Sequence, residues 1–365
     1  MATYLYRTFS TATNRKIWTW SGWVKRTNLV SDHTNALFGA YYDGTNRSVI
    51  RFNGHRLQFQ DSANSVDVLT TRLFRDPNAW YHIVARVDTT QSTASDRIRL
   101  YVNGVQETAF DTSNYPGQNI NMEFQGAVVH YINARRDSTG TVDSIASMVY
   151  SHVHFSDGQS LAPTVFGETD STTGEWKINT NPSFTLGTNG FTILKDGNTF
   201  TDQSSNSNNW TQAGSTGLIS KTEDCPSNVF ATINPLVPYS SNYDFYNGNT
   251  TVENDGSAGA WTTRWGVSTL GMSSGKFYAE AKVINIGTNQ MYALGLIKDV
   301  GTFNPTSSVG ANGLGYYSTG NIYNGISGQD QTGLASYTTN DIIGLAIDAT
   351  NGSAQWYKNG SAIGN

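Results

Sequence analysis

Apolar and polar residues alternate with a period of two through much of this chain, and no 3.6-residue apolar period is sustained anywhere. Ile98, Leu100 and Val102 alternate with Arg97, Arg99 and Tyr101, which predicts a strand with one apolar and one wet face. Two distant stretches, 80–105 and 341–361, share one plan: an apolar strand ending in Asp, a polar connection, and a strand that runs into Asn-Gly. Both central residues of a type I′ turn need positive φ, so Asn-Gly between alternating runs predicts a hairpin. Asn-Gly and Asp-Gly pairs recur from Asp43-Gly44 to Asn359-Gly360. Punctuation this regular between short alternating runs argues an all-β chain.

In the first half the strand candidates are 18–25, 36–42, 48–52, 80–88, 97–102 and 145–155, enough for a two-sheet jelly roll. The pattern weakens between 156 and 220. Within it, the polar run 202–209 reads as a loop and 190–194 as one more strand returning to the first sandwich. Further strands are expected at 243–246, 275–283, 291–297, 313–317, 341–348 and 354–358. The organisation expected is therefore two β-sandwich (jelly-roll) domains in series: 1–200, a linker over 201–235, and 236–365.

Composition narrows the function. Only 14% of the 365 residues are charged and the net charge is −5, so no basic stripe is available to neutralise a phosphate backbone, and nucleic acid is not an expected partner. One cysteine, Cys225, excludes a disulfide scaffold and a cysteine-rich zinc module. No apolar run is long enough to cross a bilayer, and the first residues show no basic stretch followed by an apolar one, so neither a membrane partner nor a secretory signal is expected.

Several runs carry a family resemblance. The segments Trp18-Thr-Trp-Ser-Gly-Trp-Val-Lys-Arg26, Asp76-Pro-Asn-Ala-Trp-Tyr-His-Ile-Val84 and Arg97-Ile-Arg-Leu-Tyr-Val-Asn-Gly104 resemble a laminin-G-like (concanavalin A-like) jelly roll. The run Ser151-His-Val-His-Phe-Ser-Asp-Gly-Gln-Ser-Leu161, with Phe166-Gly-Glu-Thr-Asp170 and Gly174-Glu-Trp176, resembles the end of that module in virion proteins of tailed phages, marine and cyanobacterial ones in particular. In that family a SPRY-like sandwich often follows, introduced by a segment similar to Asp224-Cys-Pro-Ser-Asn-Val-Phe-Ala-Thr-Ile-Asn-Pro-Leu236. The matching residues here are 271–283, 293–296 and Gln355-Trp-Tyr-Lys-Asn-Gly360. A SPRY-like sandwich normally continues past its Asn-Gly hairpin, so the second domain is expected to be cut short at Asn365.

The resemblance implies an appendage, fibre or decoration protein on a phage particle, located on the tail or capsid surface. Its implied partners are other virion proteins and host-surface glycans or proteins, and its implied assembly is a homo-oligomer, a trimer. No enzymatic activity and no cofactor is expected, although laminin-G-like modules sometimes hold a structural calcium, for which Asp43, Asp61, Asp88 and Asp137 are the candidates. Such a site needs six or more oxygens, and no loop here spells a calcium motif.

Other chemistry is thinly represented. Glu168, Asp170 and Glu175 are the nearest approach to the paired carboxylates of a glycoside hydrolase, but they sit in a Gly- and Thr-rich stretch without the required spacing. His152 and His154 stand two apart, as metal ligands on one strand face or as the wet side of a plain strand. Aromatic residues are the stronger lead, because sugar rings stack on aromatic faces: Trp23, Tyr41, Tyr42, Tyr101 and Tyr131 are the carbohydrate-binding candidates. Trp18, Trp20 and Val24 share one face of their strand, and Trp23 projects from the other. A polysaccharide-degrading enzyme and a non-viral extracellular adhesin are the alternatives to the phage reading.

Overall fold

The computed structural model describes residues 3–29, 34–195, 197, 199–214, 219–236, 243–254, 266–287, 293–298, 313–325 and 328–364. The chain divides into two units, Met1–Phe230 with Asn247–Thr250, and Ala231–Tyr246 with Thr251–Asn365. The pair Asp255-Gly256, residue Asp196 and the first two residues of the strand expected over 291–297 lie outside the described residues.

In chain order the first unit begins with β1 (Thr3–Thr8), β2 (Ile17–Arg26), β3 (Thr34–Tyr41), β4 (Arg47–Asn53), β5 (Arg56–Asp61) and β6 (Val66–Thr70). It continues with β7 (Trp80–Asp88), β8 (Ile98–Val102), β9 (Val105–Gln106), β10 (Phe110–Asn114), β11 (Val129–Ile132), β12 (Arg135–Arg136) and β13 (Val142–Asp143). The last are β14 (Met148–Asp157), β15 (Gly167–Thr169), β16 (Trp176–Ile178), β17 (Phe191–Ile193) and β18 (Thr211–Gly214). An eight-stranded sheet runs β10-β6-β5-β4-β3-β11-β1-β18, and a six-stranded sheet runs β17-β14-β2-β7-β8-β9. Two short hairpins, β12-β13 and β15-β16, stand apart from them. The two large sheets share one core, as a β-sandwich requires.

Strand β2 sits inside the six-stranded sheet, antiparallel to β7 and β14, and nine of its ten residues are buried. Its inner residues Trp18, Trp20 and Val24 join the shared core, and Trp23 points outward, as the alternation predicts. Gly22 is on the inner side, where a Cβ would come within 2.8 Å of the Trp20 ring, so only glycine lets that indole lie along its own strand. At the core's centre Phe38 meets Trp20, Phe124, Phe155, Phe191 and Trp210, with ring centroids 4.9 to 6.4 Å apart. The predicted hairpin at 80–105 is present: β7 pairs with β8, and β8 turns into β9 through Asn103 (φ 49°) and Gly104 (φ 78°).

The stretch 201–235, expected as a linker, contains β18, which pairs with β1 at the edge of the large sheet. Trp210 from the same stretch enters the core. Further on, the Asp224 carboxylate is buried 2.7 Å from Lys25 Nζ. Short polar runs disguised these contacts, because β18 pairs through only four residues and Trp210 and Asp224 each act alone.

The second unit contains β19 (Tyr243–Tyr246), β20 (Thr251–Asn254), β21 (Lys276–Lys282), β22 (Ala293–Ile297), β23 (Gly313–Tyr317) and β24 (Asn321–Asn324). After them come β25 (Gly328–Gln331), β26 (Ile342–Asp348), β27 (Ser353–Lys358) and β28 (Ser361–Gly364). Two four-stranded sheets, β21-β26-β27-β28 and β22-β23-β24-β25, enclose a small core of Tyr316, Ile322, Tyr337, Ile343, Leu345, Ile347 and Trp356. The Asn-Gly hairpin recurs here, with Lys358 opposite Ser361 around Asn359 (φ 49°) and Gly360 (φ 81°).

The core makes a direct prediction. Phe38→Ala removes a fully buried ring and is expected to cost about 3–5 kcal/mol, whereas Tyr42→Ala, at a residue 67% exposed, is expected to change stability by about 0.5 kcal/mol or less. Chemical denaturation of the two variants measures the difference, and equal losses would contradict this placement of the core.

Candidate functional site

The outward face of the six-stranded sheet is covered by the chain's own segment between β14 and β17. Thr19 Oγ1 donates to the Gln159 carbonyl at 2.8 Å and accepts from the Leu161 amide at 2.8 Å. Phe166 packs on Val84 and Tyr101, with Leu161, Val165 and Phe184 around them. Trp176 lies over the Asn103-Gly104 turn, where any Cβ at position 104 would collide with its ring. Under this strap, His82 stacks on Trp23 and lies beside Trp176, with ring centroids 4.8 and 5.9 Å away and near-parallel planes.

Hydrogen bonds fix the imidazole. Trp176 Nε1 donates to His82 Nδ1 at 3.0 Å, so the hydrogen is assigned to Nε2, which faces Ser21 Oγ at 2.9 Å. Burial pushes the His82 pKa down to about 3. Sequence reasoning used Trp176 only as part of a motif and did not single out His82. Their partnership spans 94 residues, and no local pattern encodes it.

The outward face of the eight-stranded sheet is built differently. Its register places Tyr6 opposite Tyr131, Tyr131 opposite Gly39, Gly39 opposite Val49, and Val49 opposite Gln60. Tyr4 tilts against Tyr131 at 6.0 Å. The hairpin β12-β13 crosses this face as a flap. It can do so because position 39 is glycine: a Cβ there would approach the Ala134 carbonyl to 3.0 Å. From the flap, the Arg136 guanidinium sits 5.4 Å from the Tyr41 ring and 5.8 Å from the Tyr131 ring, within cation–π range. Arg135 is clamped by both oxygens of Asp143, at 2.9 and 3.2 Å.

At the end of β3 the turn through Tyr42 and Asp43 abuts the flap's own turn, since a Cβ on Gly44 would strike the Ser138 carbonyl. Arg47 donates back to the Gly44 carbonyl. Arg51 belongs to the same face, donating through Nε to Gln58 Oε1 at 2.7 Å, and Gln58 passes the chain on to Asp67 at 2.6 Å. Burial, with a smaller push from Arg135, lowers the Arg51 pKa to about 10, which leaves it charged at neutral pH. The crevice between flap and sheet, lined by Arg47, Gln60, Arg135 and Arg136 among others, has no room for a water molecule. Recognition here would use a surface of aromatic rings and guanidinium groups rather than a preformed cavity.

The five expected carbohydrate-binding residues therefore separate. Tyr41 and Tyr131 come together under Arg136 on the large sheet, and Tyr42 follows Tyr41 in the turn after β3. Trp23 and Tyr101 lie on the other sheet, under the strap. Of the five only Tyr42, 67% exposed, is open to solvent and Tyr41 is half-buried, while Trp23, Tyr101 and Tyr131 are 4, 8 and 2% exposed and present no free ring face. The outward position was legible for Trp23; the covering segment was not. Tyr4, Tyr6 and Arg136 were missed, although Tyr4-Leu5-Tyr6 is itself an alternating run that signals an outward aromatic pair.

The remaining candidates have local roles. Asp170 accepts from the Thr172 and Thr173 amides and pairs with Lys177 at 2.5 Å, which holds its carboxyl well below the usual range. Glu168 and Glu175 flank that turn and are exposed. His152 falls in a β-bulge with φ 49°, and Val153, the residue between the two histidines, enters the core. His154 stacks on Phe166 at 5.6 Å and meets Thr192 Oγ1 at 3.0 Å. Of the calcium candidates, Asp43 binds Thr45 and Asn46, Asp88 binds Thr90 and Gln91, and Asp137 binds Thr139 and Thr141. Asp61 is buried against Ser48, Asn64 and the Glu123 amide. Among the described residues no three His, Cys, Asp or Glu side chains gather as a metal set.

The first sandwich is a concanavalin A-like jelly roll. Residues 3–146 match the Concanavalin A-like lectin/glucanases superfamily, within its third laminin G group. No curated protein sequence matches the chain. Among solved structures, a Bacteroides ovatus protein provisionally described as carbohydrate binding aligns at 15% identity and a TM-score of 0.38, over 62% of this chain and 60% of that one. Domains LG4-5 of the mouse laminin alpha1 chain align at 10% identity and a TM-score of 0.32, over 99% of this chain and 74% of theirs. A Trypanosoma rangeli sialidase aligns at 15% identity and a TM-score of 0.29, over 40% of this chain and 21% of its own. This chain thus spans well under two thirds of the sialidase and somewhat under two thirds of the Bacteroides protein, and none of these likenesses carries an argument about its activity.

Buried histidines give a pH dependence. Burial lowers His82 and His130 to about 3 and His154 well below its ordinary value, so all three are neutral when folded. Once unfolded they protonate near their usual pKa of about 6.5. Below that pH the unfolded chain binds more protons than the folded one, so stability is full above about pH 6.5 and declines as pH falls toward about 3. Thermal melts are expected to show Tm falling between about pH 7 and about pH 4. A flat Tm over that window would contradict neutral, buried imidazoles.

Proposed function

We propose that this chain is a non-enzymatic display protein of a tailed-phage particle, whose first sandwich binds host-surface glycans at the flap end of its eight-stranded sheet. One observation carries the location: this face presents tyrosine rings and arginines, with Tyr6 and Tyr42 exposed, while the opposite sheet's aromatics are covered by the strap. Exposed tyrosines stack on sugar rings, and arginine adds hydrogen bonds that fix orientation.

The phage assignment rests on the motif resemblance in 151–176 and 224–236, and on a composition rich in turn residues and poor in charge. In this reading the second unit is a SPRY-like sandwich, the subunit assembles as a trimer on the tail or capsid surface, and multivalency raises weak single-site affinity. Detection of the chain in purified virions by mass spectrometry tests the location, and its absence there would overturn it.

Binding is tested on a glycan array, followed by titration of the best ligand. Tyr42→Ala and Tyr6→Ala are each expected to weaken binding about 3- to 10-fold, the loss of one aromatic contact of about 0.5–1.5 kcal/mol. Trp176→Phe, on the strap, is expected to leave affinity unchanged. Loss of binding only in the strap variant would move the site to the other sheet, and release of reducing ends from the bound polysaccharide would replace the binding-only reading with an enzymatic one.

A further inference from the structure

We infer that Lys25, Asn78 and Asp224 form an internal isopeptide site, in which the Lys25 amine and the Asn78 carboxamide condense to a single amide with Asp224 carrying the proton. The Lys25 and Asp224 side chains are both fully shielded from solvent, and Lys25 Nζ stands 2.7 Å from Asp224 Oδ2 and 3.3 Å from Asn78 Oδ1. Asp224 is held in place on both oxygens: Oδ2 also accepts from Trp80 Nε1 at 3.2 Å, and Oδ1 accepts from the Phe230 amide at 2.9 Å. The register explains the meeting. Lys25 is opposite Trp80 in the β2-β7 ladder, and Asn78 lies just before β7 begins.

An exposed lysine is protonated and does not attack amides. Here Lys25 Nζ already donates to Asp224 in a site closed to water, and the proposed reaction begins with transfer of that proton along the hydrogen bond, which leaves a neutral amine and a neutral acid. The free amine is a competent nucleophile, and the carboxamide carbon is one bond beyond the oxygen it already touches. The Nζ–Cγ bond forms and the Cγ–Nδ2 bond breaks. Asp224, protonated by that transfer, delivers its proton to the departing nitrogen, which leaves as ammonia, and the carboxylate so formed takes one from the attacking amine. The products are one secondary amide, one ammonia and a regenerated carboxyl group, with no oxidant or reductant. Among the described residues the Asp224 carboxyl is held by an amine, an indole and an amide, and not by a second acid that would activate it as the acyl donor. Asn78 is therefore the acyl partner.

The bond would join two points 53 residues apart, locking the end of β2 to the entrance of β7 independently of what the protein binds. Intact mass spectrometry of the denatured full chain, followed by tryptic mapping, tests it. The expected result is a mass one ammonia below that of the sequence, no cleavage after Lys25, and a branched peptide joining Lys25 to Asn78, with all three features absent from Asp224→Asn. An unmodified mass in the folded wild type overturns the proposal. So does an ammonia loss mapped to a succinimide at one of the Asn-Gly pairs, or a water loss mapped to a Lys25–Asp224 bond. If Asp224→Asn fails to fold, the branched wild-type peptide or its absence still decides.

Discussion

Everything in the first unit is arranged around a strand buried on both faces. β2 places Trp18, Trp20 and Val24 against the eight-stranded sheet and Thr19, Ser21, Trp23 and Lys25 against the chain's own later segments. A strand of an antiparallel sandwich ordinarily keeps one side wet, and its polar outward residues are then solvated. Here those residues are buried, so each needs a partner inside the protein. Thr19 finds Gln159 and Leu161, Ser21 finds His82, and Lys25 finds Asp224. The long excursion after β14 is thus a structural lid for the smaller sheet.

In the proposed reading, closing one sheet directs recognition to the other. The strap supplies Phe166, which packs on Tyr101, and Trp176, which meets the His82 that is itself stacked on Trp23. On the eight-stranded sheet the short flap delivers Arg136 to Tyr41 and Tyr131 and leaves Tyr6 and Tyr42 exposed. Asp143 offsets Arg135, so Arg136 is the guanidinium set against the tyrosine rings.

The sequence was most informative where structure is local. Alternation and Asn-Gly turns set the all-β class, both hairpins and the opposite directions of Trp20 and Trp23. It was least informative where a few residues act across long separations: Trp176 on His82, Asp224 on Lys25, and β18 on β1 are 94, 199 and about two hundred residues apart. For the same reason five aromatic candidates could be named as outward-facing or strand-borne, but which were covered depended on loops with no period of their own. Tyr4 and Tyr6 were within reach of the same alternation argument, and Arg136, on a two-residue strand, was not.

The central claim is that the small sheet is closed by the chain itself, whereas Tyr6 and Tyr42 of the large sheet are exposed. Hydroxyl-radical footprinting of the native protein reads this residue by residue. Rapid modification of Tyr42 and Tyr6, with Trp18, Trp20 and Trp23 protected until the protein unfolds, is the predicted result. Modification of Trp23 at a rate comparable to Tyr42 would show the strap to be open and contradict the account.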